Sequence, residues 1–323
     1  EAEVPVASQD EQARAAGAEA ALRIVLVKVA GASSTLDNPS VAAALPGAIN
    51  YLAQFYYTNL SYPPREAGPA AEPGLHVVFA PRTVDAILRR AGEPVLPPNR
   101  PATLLWLALD DGTGQRLMSR DVDTALAGWL GFHAARRGMP LLFPQMDLED
   151  TAAVTPEQLW TLETEGPVRA AQRYGTPSVL LARLTRSGDG AWLGEWCHVL
   201  AEQSSNGQGG APTLDALAQQ LAGFVADAVA AHYAVKAGDA GAAQLRLQVD
   251  GVSGFAAYQK LSGLLRGMTS VRGLQLVLVD RATFHFELLT NTSLETVLRE
   301  LSLLRQLQSE GAEGELRYRW VGG

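Results

Sequence analysis

Residues Arg136–Asp150 read RRGMPLLFPQMDLED, and the fold of the middle of the chain turns on this stretch. Upstream, Asp121–Arg137 places Val122, Ala125, Leu126, Trp129, Leu130, Phe132 and His133 at three-four spacing, which predicts an amphipathic helix. Arg136 and Arg137 fall in its last turn, where cations oppose the negative end of the helix dipole. Gly138 follows as a left-handed C-cap. Met139–Phe143 is then a short apolar run, expected as an interior strand buried on both faces. Pro144 ends it, because proline cannot donate to a central ladder.

Asp147, Glu149 and Asp150 come next, in a loop at the C-terminal end of that strand, where open α/β sheets place ligand sites. Those carboxylates suit either a cation site or a solvated loop in which Asp150 or Thr151 caps a helical turn. Without a spaced glycine or a fourth ligand they do not make a calcium loop, so capping is the expectation.

Working outward, Ser8 or Asp10 caps a helix that runs to Ala30 and stops at Gly31. Tyr51–Leu60 is aromatic and β-prone, expected as one core face of a sheet paired with Leu75–Phe79. A Pro/Gly/Ala-rich connector covers Tyr62–Gly74, and Pro94, Pro97, Pro98 and Pro101 stiffen a linker. Ala102–Leu109, Ser178–Thr185 and Ala191–Leu200 read as strands. A helix is expected from Thr155 to Tyr174, a flexible loop over Ser204–Gly210 and a long helix over Leu214–Tyr233.

After a Gly/Ala linker at Val235–Ala242, strands and helices alternate as β-α-β-β-α-β, closed by Glu315–Val321, which is the ferredoxin-like order. The fold class is therefore α+β with α/β character: three small mixed domains in series, at residues 1–98, 99–237 and 238–323. The central one is an α/β domain with a mixed sheet, and the last is ferredoxin-like.

A hydrophobic share of 47% and a charged share of 19% mark a globular chain rather than a disordered one. The formal net charge of −8 argues against nucleic acid as the main partner. No apolar run reaches the length of a membrane helix. The single cysteine, Cys197, allows no disulfide within the chain. A start at Glu1 suits a mature protein whose signal peptide has been removed, or equally a trimmed chain.

Cys197 and His198 are neighbours on a strand and so face opposite sides, which denies them a dyad. His76, His133, His198, His232 and His285 have no zinc-ligand spacing, and no nucleophile elbow or phosphate-binding glycine pattern occurs. Arg136, Arg137, Arg169 and Arg173 offer a basic face for an anion, against the alternative of arginines paired to Glu163 or Glu165.

The motifs RGMPLLFPQMDLED, NRPATLLWLALDD, AAQRYGTPSVLLARL and VPVASQDEQARAAGAEAALRIVLVKVAG resemble DUF2066, a bacterial family of unknown function. The resemblance implies a periplasmic cell-envelope protein and no established activity. The resulting expectation is a non-enzymatic module that needs no cofactor and binds another envelope protein through sheet edges or the cleft between domains. The alternative is a binder, or hydrolase, of a small-molecule or cell-wall ligand at Asp147, Glu149 and Asp150, with Arg136, Arg137 and Arg173 as its cations.

Overall fold

The computed structural model describes residues 1–63, 71–236, 243–312 and 314–322. The architecture is mixed α+β, with three sheets among the described residues. Most of the connector at Tyr62–Gly74 and of the linker at Val235–Ala242, including the boundary near Gly238, lies outside those residues. Contacts gather the chain into two compact units, Glu1–Ile87 with Pro101–Ala231, and Leu88–Arg100 with His232–Gly323.

The first unit opens with β1 (Ala2–Pro5), α1 (Glu11–Ala30), α2 (Pro39–Ala44), β2 (Leu52–Ser61) and β3 (Ala71–Phe79), followed by the part of α3 (Pro81–Ala91) up to Ile87. The Asp10 side chain accepts from the Ala13 amide and starts α1, and Gly31 at φ 90° ends it. The three strands form an antiparallel sheet in the order β1-β3-β2. β2 is an outer strand, so its aromatic run is not the core face expected of it. Phe55 and Tyr56 are 41% and 47% exposed, one under Arg14 and the other stacked on His76.

The same unit continues with β4 (Thr103–Asp110), β5 (Gln115–Leu117), α4 (Thr124–Arg137), β6 (Leu141–Leu142), α5 (Leu148–Ala153), α6 (Pro156–Trp160), α7 (Glu165–Ala171), β7 (Ser178–Arg186), β8 (Trp192–Leu200), β9 (Gln203–Ala211) and α8 (Leu214–Tyr233). Its mixed sheet runs β5-β4-β7-β8-β9, with β4 and β7 parallel and the other neighbours antiparallel. Both faces are covered. On one, Leu105 and Leu180 meet Leu130 and Ala134 of α4 and Leu221 and Val225 of α8 around a void of about 10 Å³. On the other, Leu104, Trp106, Val179 and Leu181 pack with Val154, Leu159 and Ala171.

Three expectations are corrected in this sheet. Met139–Phe143 is not an interior strand. Only Leu141–Leu142 pairs, in parallel and with the start of β4 alone, and both residues are half-buried. This segment lies on the edge of β4 away from β7, an edge it shares with β5, and Pro140 has no amide to extend the ladder. The helix expected from Thr155 to Tyr174 breaks after α6, where Leu162 adopts φ 55° and the chain restarts at Glu165. Ser204–Gly210 is no loop but the body of β9, paired to β8 residue by residue.

The second compact unit contains β10 (Ala243–Asp250), α9 (Gly254–Arg266), β11 (Val271–Asp280), β12 (Thr283–Thr290), α10 (Leu294–Ser302), β13 (Leu307–Ser309) and β14 (Arg317–Trp320). The strand order is β11-β12-β10-β14-β13. The elements follow the expected β-α-β-β-α order through α10, and the closing strand is not the single one expected. The short hairpin β13–β14 reverses the chain, so that β14 lies parallel to β10, where a single closing strand would lie antiparallel. Leu247, Val249, Phe286, Leu288, Leu261, Leu265, Val297 and Leu301 fill the core beneath the helices.

Candidate functional site

The acidic stretch is built as a helix start. Asp147 N-caps α5 and accepts from the Asp150 amide at 2.9 Å. Arg173 reaches over from the turn after α7 and bonds Asp147 with both arms, at 2.9 and 2.8 Å, and Asp150 at 2.9 Å. Asp150 is fully buried, and its other oxygen accepts from the Met146 amide at 2.9 Å and the Tyr174 hydroxyl at 2.5 Å. Glu149 lies 3.6 Å from Arg173 at the exposed rim. The Arg173 guanidinium holds Asp147 far below the usual carboxylate range. These carboxylates are thus bonded within the chain, and they tie α5 to the turn before β7.

Arg136 and Arg137 bond elsewhere. Arg137, at the end of α4, donates to Asp227 of α8 and to the Gly31 carbonyl, each at 2.6 Å. Arg136 lies over the Phe132 ring and donates to the Glu3 carbonyl at 3.2 Å. Arg169 pairs with Glu165 one turn away on α7. The four arginines do not converge on one anion site.

Cys197 is buried, and burial pushes its thiol pKa up. His198 is buried on the other face of β8, where its Nε2 lies 2.9 Å from Ser178 Oγ, itself 2.7 Å from Thr103 Oγ1. Burial lowers the His198 pKa to about 4. Among the described residues, no group of three or more His, Cys, Asp or Glu is placed to hold a metal ion. No helix among them is long and apolar enough to cross a membrane.

The surface that sequence reading missed is the edge of the mixed sheet at β9. Its nine residues, QSSNGQGGA, carry no charge and no proline. Their register with β8 is unbroken from Leu200–Gln203 to Trp192–Ala211. Glycines let the strand pack closely over its neighbours. A Cβ at Gly207 would collide with the Trp196 indole and Phe224, and one at Gly209 with Gln220 and Trp196. Their period of two, with Asn206 and Gln208 pointing outward, was the available signal for a strand.

Beside this edge, on the sheet face that α5, α6 and α7 cover only in part, runs a groove of about 430 Å³. Arg183 and Glu195, paired at 2.8 Å, form one wall; Leu193, 54% exposed, and Gln208 form another. Arg183 is fixed from behind by the Trp160 carbonyl at 2.5 Å. An uncharged strand edge next to a groove with an apolar side chain and an ion pair can add a strand and sort its side chains.

With this geometry in place, the comparisons with known proteins bear on one part of the chain. Residues 1–97 match a domain of unknown function, DUF8605. That match overturns the resemblance to DUF2066, which is a different family. The periplasmic placement drew on that resemblance and loses its support. No curated protein matches the chain.

Proposed function

We propose that this protein is a non-enzymatic interaction module that binds a partner protein by adding an extended segment of it to the edge of β9. The observation that carries this reading is the edge itself: nine uncharged residues in unbroken register, with no bulge, proline or lysine to block pairing. Main-chain hydrogen bonds supply affinity in such complexes, and pockets for alternate side chains supply selectivity. Here the groove at Leu193, Gln208 and the Arg183–Glu195 pair takes the second part.

The second compact unit also exposes an apolar edge, at Val277, Leu278 and Val279 of β11. Two register shifts interrupt its ladder, which disfavours continuous pairing there.

The test is capture of partners by the intact chain from an extract of its source, set against Asn206→Lys with Gln208→Lys. Both side chains point to solvent, so the variant should melt as the wild type does while its edge charges block pairing. Loss of capture, together with slowed amide exchange in wild-type β9 on binding, supports the reading. Undiminished capture by the folded variant refutes it.

A further inference from the structure

We propose that the cavity between α1, α4 and α8 binds a small amphiphilic anion, a carboxylate or phosphate group on a short apolar body. The cavity holds about 250 Å³. At roughly 30 Å³ per water in the liquid, that is space for about eight waters. Three arginines line it, Arg23, Arg136 and Arg137, and no acidic side chain does among the described residues. Ile24, Val27 and Leu36 supply the apolar part of the wall.

The cations around it differ in what they already hold. Arg23 pairs with Glu19 along α1 at 2.9 Å, and Arg137 is engaged by Asp227. His133 lies 2.6 Å from Asp215. Arg136 has no carboxylate in any ion pair among the described residues; it meets the Glu3 carbonyl and the Phe132 ring, and the Tyr62 phenol lies near enough to act on its charge. It is half-buried, and burial pulls its pKa below the usual guanidinium value. A desolvated guanidinium without a counter-charge is unfavourable, and an anion entering the cavity relieves it. The planar fork of arginine suits a carboxylate or a phosphate, and the apolar wall selects anions that carry a short hydrocarbon body. This inference does not depend on strand addition at β9, which lies on other residues.

Calorimetric titration of the intact chain with sodium hexanoate, hexyl phosphate and hexanamide tests it. One or both anions should bind at least about tenfold tighter than the neutral amide, a difference of about 1.4 kcal/mol. The tighter of the two identifies the headgroup. Arg136→Met should weaken anion binding by a similar factor and leave the amide unchanged, while Arg136→Lys keeps part of the affinity. Independently of any variant, methyl resonances of Ile24, Val27 and Leu36 in the wild type should shift on adding the anion. Equal binding of anion and amide, no binding of any probe, unshifted methyls at saturation, or full anion affinity in a folded Arg136→Met protein each overturns the proposal.

Discussion

Arg173 closes on Asp147 through both arms of its guanidinium, Nη1 2.9 Å from Oδ1 and Nη2 2.8 Å from Oδ2. The same Nη1 serves the fully buried Asp150. Arg173→Met should therefore lower the melting temperature at pH 7, because it strands a buried carboxylate and loosens the cap of α5. The sign with pH follows from Asp147. Its folded pKa lies below the unfolded value, so its contribution is present above about pH 4 and fades as acid protonates it. The melting difference between variant and wild type should be large at pH 7 and smaller at pH 3. An equal difference at both would show that the ion pair is not what Arg173 contributes.

His198 titrates in a separate window. Its folded pKa of about 4 lies below the ordinary 6.5, so the unfolded chain binds the proton first as pH falls. Stability is whole above about pH 6.5 and declines toward pH 4, by about 3 kcal/mol across that interval for a shift of this size. Its Nδ1 is buried without a hydrogen-bond partner among the described residues, so the charged form finds no compensation there. Urea unfolding at pH 7.5 and pH 4.5 checks this: His198→Leu should lose less stability between the two than the wild type. Parallel losses would mean that other groups govern the acid limb.

Much of the fold was readable from local chemistry. The Asp10 cap, the Gly31 and Gly138 stops and the three-four spacing of Leu126, Trp129 and Leu130 set α1 and α4 at their observed ends or within a few residues. Apolar content alone did not say which strand would take the interior place. Met139–Phe143 is as apolar as β7, yet β7 pairs the whole of β4 along one edge, whereas Leu141–Leu142 shares the other edge with β5 and is held between Pro140 and Pro144. The site was harder to read. Glycine and serine at 204–210 look like a loop until the Trp196 indole is known to lie over them. Arg173 was grouped with Arg136 and Arg137 by charge, whereas the tertiary fold gave each a different partner.

The turn that launches β9 explains why it escaped notice. Leu200 pairs with Gln203, leaving Ala201 and Glu202 as a two-residue hairpin loop at φ 46° and 69°. Primed turns of this kind favour Asn-Gly, and an L-residue in the left-handed region costs about 1–2 kcal/mol. Replacing Ala201→Asn together with Glu202→Gly should stabilise the protein by about 1 kcal/mol, the relief being partly offset by the freer unfolded glycine. Urea midpoints at constant slope measure it. A lower midpoint would show that the present turn is not strained.

Trp196 and Gly207 are coupled by shape. They face each other in register on β8 and β9, and a methyl at Gly207 overlaps the indole nitrogen. That nitrogen is buried and has no hydrogen-bond partner among the described residues, so removing it forfeits no bond. Gly207→Ala alone should cost about 1–3 kcal/mol, the usual penalty for overpacking. Trp196→Phe alone should also destabilise, by leaving space against Phe224. Combined, the two changes should cost less than the sum of their separate effects, because the smaller ring makes room for the new methyl. A double-mutant cycle in urea reads the coupling. Additive losses would show that the strand conformation, and not the indole, demands glycine, and that β9 owes its close packing to some other contact.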